Sequence, residues 1–141
     1  MSQENVEIVK AAIAEWNAGD MDGLREVFDP DVIVRLPEGW PEPGPFVGRE
    51  AVMGQWERNR EVWDADTLEP VGDLIDAGDR VVVRWIWRGV ARGPESHLEF
   101  TAVYTMRKGR ISYQESFWDH AEALEALGLS EQDAHWKSSP S

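Results

Sequence analysis

The sequence predicts one small α+β domain, in which three helices in the first half and a short C-terminal helix pack on a strongly curved antiparallel sheet. Three observations lead to this fold class. Apolar residues recur at helical spacing up to residue 63, an alternation with period two begins at Thr67, and tight turns separate the later strands. The length of 141 residues fits a single domain. We assign residues 1–129 to it and expect the polar residues 130–141 to form a mobile tail.

Two helices are predicted at the beginning of the chain. The first runs from Ser2 to a stop at Gly19, and its apolar face consists of Val6, Val9, Ile13 and Trp16. Asp20 is a suitable N-cap for the second helix. We expect that helix to include Phe28 and to end at Asp29, because the residue before a proline avoids helical backbone angles.

A short strand, a loop and a third helix follow. The strand covers residues 32–36, and the loop at 37–45 is rich in proline, which lacks a backbone N–H and therefore cannot join a sheet. The third helix begins near Arg49. One of its faces consists of Val52, Trp56, Arg60 and Trp63.

The second half of the chain has the pattern of a four-stranded meander. The strands are expected at about 67–76, 80–92, 96–107 and 110–118. The connections at 77–79, 93–95 and 108–109 are so short that neighbouring strands must be antiparallel. Asp119 then precedes the last helix. It could be an acid at the edge of a pocket, but its position favours a helix cap.

Alternation along the strands assigns their faces. On strand 80–92 the inward set is Val81, Val83, Trp85 and Trp87, and on strand 96–107 it is Leu98, Phe100, Ala102, Tyr104 and Met106. On the last strand we expect Ile111, Tyr113, Glu115 and Phe117 to point inward. The alternative is the opposite set, Ser112, Gln114, Ser116 and Trp118.

Composition limits the classes of partner. The net charge is −13, which repels the phosphates of nucleic acids and anionic membrane surfaces. The absence of cysteine excludes disulfides and thiolate metal sites, and it fits a cytoplasmic location. The chain has 8 tryptophans, and a tryptophan-rich interior is either a bulky core or the wall of a pocket for a flat apolar ligand.

Several stretches resemble the SnoaL-like branch of the NTF2-like superfamily. They include Trp16-Asn-Ala-Gly-Asp20, Phe46-Val-Gly-Arg-Glu50, Asp76-Ala-Gly-Asp-Arg-Val-Val-Val83 and the segment 119–129. The resemblance implies a cone-shaped α+β barrel with a pocket and, commonly, a homodimer formed through the outer face of the sheet. The superfamily includes polyketide cyclases, ketosteroid isomerases and binding domains without catalytic activity, so the fold alone does not decide the activity.

The sequence is compatible with a catalytic and with a non-catalytic interpretation. In the catalytic reading Glu115 is a general base whose pKa is raised by burial, and Tyr104 or Tyr113 donates to an oxyanion, as in a cofactor-independent isomerase or cyclase. In the other, an arginine neutralises Glu115 and the protein binds a ligand or serves as an interaction domain. The predicted pocket residues are Trp16, Trp40, Trp56, Trp63, Trp85, Trp87, Phe100 and Phe117, with Trp40 as a candidate lid. Neither a cofactor nor a metal is expected.

Overall fold

The computed structural model describes residues 2–40, 44–61, 65–90 and 96–128. The helices are α1 (Ser2–Ala18), α2 (Met21–Val27), α3 (Arg49–Glu61) and α4 (His120–Ala126). The strands are β1 (Phe28–Arg35), β2 (Phe46–Val47), β3 (Ala65–Pro70), β4 (Ile75–Ala77), β5 (Arg80–Val90), β6 (Ser96–Arg107) and β7 (Arg110–Phe117). The predicted Trp63, the turn at 93–95 and the tail from residue 130 lie outside the described residues.

One curved sheet carries the fold, in the strand order β2-β1-β7-β6-β5-β3, with β4 also paired to β5. The predicted meander is correct for β5, β6 and β7, which pair antiparallel. However, β1 runs parallel to β7, so the sheet is mixed, and no pairing between β2 and β3 closes the described strands into a barrel. Only strands joined by tight turns are forced to be antiparallel, and β1 and β7 are far apart in sequence.

Two element boundaries differ from the prediction. The second helix ends at Val27, because Phe28 takes extended backbone angles (φ −89°, ψ 138°) and pairs with Ile111 as the first residue of β1. The predicted strand 67–76 is divided into β3 and β4, both paired with β5. Gly72 lies in the interruption with a positive φ of 76°, a conformation that a continuous strand does not contain.

The sheet has an apolar cluster on each face. The inner face packs against α1, α2 and α3, and its fully buried members include Val83, Trp85 and Ile111. The outer face is covered in part by α4, whose Ala123 and Leu124 pack on Val82 and Val103. Asp119 caps α4, since its Oδ1 accepts from the Ala121 N–H at 2.9 Å. No helix in the described segments has both the length and the apolarity to cross a bilayer.

Candidate functional site

An apolar cavity of about 90 Å³ lies between the helices and the inner face of the sheet. Helix α1 forms one wall with Val9, Ala12, Ile13 and Trp16. The sheet forms the opposite wall with Leu68, Trp85, Trp87, Phe100, Tyr104, Ile111, Gln114 and Ser116. Trp56 and Asn59 of α3, Leu24, Phe28 and the loop residues Leu36, Pro37 and Trp40 complete it. Every one of these side chains is uncharged.

Four tryptophans form a connected aromatic wall. Trp16 meets Trp56 and Trp87 edge-on, with ring centroids 6.4 Å and 6.2 Å apart. Trp40 stacks on Trp87 at 6.3 Å with an interplanar angle of 12°. Trp40 also stacks on Trp118, with ring centroids 5.6 Å apart, and Trp118 is 44% exposed. Trp40 therefore lies between the cavity and a solvent-exposed ring.

A buried carboxylate orients two of these rings. Oδ2 of Asp66 accepts hydrogen bonds from the indole N–H groups of Trp16 and Trp87, each at 2.8 Å. The Asp66 side chain is only 4% exposed, and its Oδ1 lies 3.8 Å from Nη2 of Arg60. The Arg60 guanidinium also stacks over the Trp16 ring at 4.6 Å and donates to the Trp16 carbonyl at 2.6 Å. Asp66 thus fixes the aromatic wall from behind.

Three neutral polar side chains interrupt the apolar lining on β6 and β7. The Tyr104 hydroxyl accepts a hydrogen bond from the Trp85 indole at 3.2 Å. Burial raises the pKa of Tyr104 well above its usual 10, so the phenol stays protonated and keeps a proton to donate. Gln114 and Ser116, which are 5% and 4% exposed, are the other two.

The orientation predicted for the last strand is wrong beyond residue 112. Thr105 and Met106 are consecutive on β6, but they pair with Tyr113 and Ile111, so Ser112 is an extra residue in a β-bulge. The bulge reverses the alternation, so that Ile111 faces inward and Gln114 and Ser116 do so as well. The alternative set was therefore correct for these two positions.

Glu115, Tyr113 and Phe117 consequently belong to the outer face. Glu115 Oε1 accepts from the Tyr113 hydroxyl at 3.3 Å, and Arg35 of β1 is its partner in the register. Burial and the adjacent Glu115 carboxylate raise the pKa of Tyr113. Phe117 packs against the cluster under α4. Of the predicted catalytic group, only Tyr104 borders the cavity.

The sequence analysis did not identify Asp66, and it named Gln114 and Ser116 only as part of the alternative inward set. Asp66 could have been found, because it lies two residues before the inward Leu68 on a strand and therefore shares its face. Gln114 and Ser116 depend on the bulge, which the sequence does not mark with a glycine. The predicted aromatic residues Trp16, Trp40, Trp56, Trp85, Trp87 and Phe100 all border the cavity.

The model of one protein family, the SnoaL-like domain, matches residues 9–114, which include all of the cavity wall except Ser116. The chain belongs to the SnoaL-like domain family. Among curated proteins, no relative of this SnoaL-like chain was found.

Solved structures have the same fold. An NTF2-like protein of unknown function from Burkholderia pseudomallei is 25% identical, with a TM-score of 0.73, covering 86% of this chain and 95% of its own. TerC, co-crystallised with polyporic acid, is 27% identical, with a TM-score of 0.73 and coverage of 89% and 98%. A Sinorhizobium meliloti protein provisionally assigned as a polyketide cyclase is 28% identical, with a TM-score of 0.66 and coverage of 82% and 98%.

Proposed function

We propose that this SnoaL-like protein binds a small, flat and mainly apolar molecule in the cavity between α1 and the sheet. The observation that carries the proposal is the wall itself, which combines five tryptophans with aliphatic side chains and contains no charged group. Aromatic side chains favour ring-shaped ligands, because offset stacking and edge contacts add to the burial of apolar area. The net charge of −13 further disfavours anionic ligands.

The similar protein TerC was co-crystallised with polyporic acid, so a related chain has been studied with a small organic compound. This supports a ligand-binding role for the cavity.

The size of the cavity adds a condition. A dry engineered cavity of ~150 Å³ binds benzene, whereas the cavity here measures about 90 Å³. A single-ring ligand therefore requires some displacement of the wall. Trp40 is the best candidate to move, because it lies on a loop and stacks between Trp87 and the exposed Trp118. Trp40 acts as a lid in this proposal.

Binding without catalysis fits the site better than proton abstraction by Glu115. That carboxylate faces away from the cavity and is hydrogen-bonded to Tyr113. In the described part of the cavity wall there is no acidic side chain that could take its place. The cyclase reading would require a base from elsewhere, so we place it second.

Titration with toluene tests the proposal. We expect the indole N–H resonances of the ¹⁵N-labelled protein to shift in a saturable way, because five tryptophans border the cavity and the indoles of two of them bond to Asp66 behind it. Ala12→Leu should abolish the shifts, since it adds three carbons inside the cavity wall. The matched control is Ala11→Leu, an exposed neighbour on the same helix, which should bind toluene like the wild type.

Equal binding by both variants would show that toluene binds elsewhere. Absence of saturable shifts in the wild type would contradict the proposed function itself. Far-UV circular dichroism of each variant establishes that the fold is retained.

A further inference from the structure

We propose that the cavity selects ligands that carry one neutral oxygen function, a hydroxyl or a carbonyl, which binds to Gln114 and Ser116. This inference rests on the proposed function and specifies the class of ligand. It originates in two buried polar side chains on β7 that border the cavity, one of which, Ser116, has no hydrogen-bond partner among the described residues.

The two side chains differ in how the fold treats them. Ser116 Oγ is buried and has no hydrogen-bond partner among the described residues. Gln114 borders the same cavity and is only 5% exposed, so its amide is available to a ligand beside Ser116. A buried polar group without a partner costs about 1–3 kcal/mol. Retaining the Ser116 hydroxyl in an apolar wall is explained if a ligand supplies the missing hydrogen bond.

The two groups face the cavity from one place. Gln114 and Ser116 are two positions apart on the same face of β7, which separates their Cα atoms by roughly 7 Å. Their partners on β6 are Tyr104 and Ala102, so the small Ala102 side chain leaves space beside Ser116. Tyr104 brings a second hydroxyl, and thus a third polar group, to this part of the wall. The opposite wall on α1 has only aliphatic side chains besides Trp16.

This asymmetry gives a ligand a fixed orientation. Its oxygen would lie against β7, and its apolar body would lie against α1 and the tryptophans. An amide and a hydroxyl both donate and accept, so they suit a neutral hydroxyl or carbonyl. A carboxylate would lack a cation, because no described residue of the wall is charged.

Phenol and toluene form a matched pair of probes, because they differ only in a hydroxyl and a methyl group of similar size. We expect the wild type to bind phenol at least as tightly as toluene. In the double variant Gln114→Leu/Ser116→Ala the ratio of the dissociation constants, toluene over phenol, should fall by roughly tenfold, from the loss of one to two neutral hydrogen bonds. The control is Glu115→Gln, which lies between them on the outer face and should leave the ratio unchanged.

The outcomes separate the two proposals. If the wild type binds toluene but the double variant keeps its ratio, the inference is wrong and the proposed function stands. If the double variant lowers the ratio and Glu115→Gln does so equally, the inference is also wrong, because the effect is not local to the inner face. If neither probe binds the wild type, the proposed function has failed. Toluene binding by the double variant shows that its cavity is intact.

Discussion

At the scale of single residues, Asp66 connects the stability of the domain to the shape of its cavity. One carboxylate oxygen accepts from two indoles, and the Arg60 guanidinium lies close to the other oxygen. Without the carboxylate, two buried indole N–H groups would lose this acceptor, and the partly buried Arg60 would lose a nearby counter-ion. Hydrogen bonds to charged groups contribute about 1.5–3 kcal/mol each, so this residue has a larger effect than an ordinary surface acid.

We predict that Asp66→Ala lowers the free energy of unfolding by about 3 kcal/mol. Asp66→Asn should lower it less, because the amide oxygen can still accept from the indoles. Glu69→Ala is the matched control on β3, since Glu69 is 55% exposed in its contact with Arg88 and should contribute less than about 1 kcal/mol. Urea unfolding measures all three. An Asp66→Ala variant as stable as Glu69→Ala would contradict the stabilising role of the hydrogen bonds from the two indoles to Asp66.

At the scale of elements, β7 explains which part of the site the sequence could predict. The inner faces of β5 and β6 follow from strict alternation, and both are as expected. On β7 one extra residue, Ser112, reverses the alternation, so that Gln114 and not Glu115 faces the cavity. A bulge is decided by pairing with β6, to whose Thr105 carbonyl the Ser112 hydroxyl donates at 3.1 Å, and not by the hydrophobic pattern of β7. The parallel pairing of β1 with β7 also could not be predicted from a local pattern, because it joins two strands that are far apart in the chain.

The junction of α1 and α2 gives a pH-dependent prediction. Glu15 has a buried Oε2 that makes no hydrogen bond to any described residue. Burial and the nearby Asp20, the cap of α2, raise its pKa above 4.5. The folded state therefore favours the protonated form. As the pH rises through 4.5, the unfolded chain releases this proton first, and the folded state loses stability until the pH exceeds the folded pKa.

Glu15→Gln should remove this loss. We expect the variant to gain stability relative to the wild type between pH 4 and pH 7, as measured by urea unfolding at both values. Glu4→Gln, an exposed position on α1, is the control and should show no such gain. If the difference in the free energy of unfolding between Glu15→Gln and the wild type is the same at both pH values, the prediction that the fold raises the pKa of Glu15 is wrong.

At the scale of the whole molecule, the two faces of the sheet differ in how completely helices cover them. The inner face is enclosed by three helices, whereas α4 covers only the part of the outer face around Val82 and Val103. Ile86 lies on the same outer face of β5, two residues after the exposed Arg84, and is half-buried. It is paired with Glu99 of β6. We propose that this remaining outer surface forms the homodimer that the family resemblance implies.

Light scattering should then give a mass of twice 16.0 kDa. Because each chain carries a charge of −13, repulsion opposes association, and the dimer fraction should rise with ionic strength as that charge is screened. Ile86→Lys should shift the protein to the monomer without changing toluene binding, since Ile86 lies on the face opposite to the cavity. Val47→Lys, on the exposed end of β2, should leave the mass unchanged. A wild-type protein that stays monomeric at all salt concentrations would contradict the dimer proposal. The cavity proposals would be unaffected, because every described residue of the cavity wall comes from one chain.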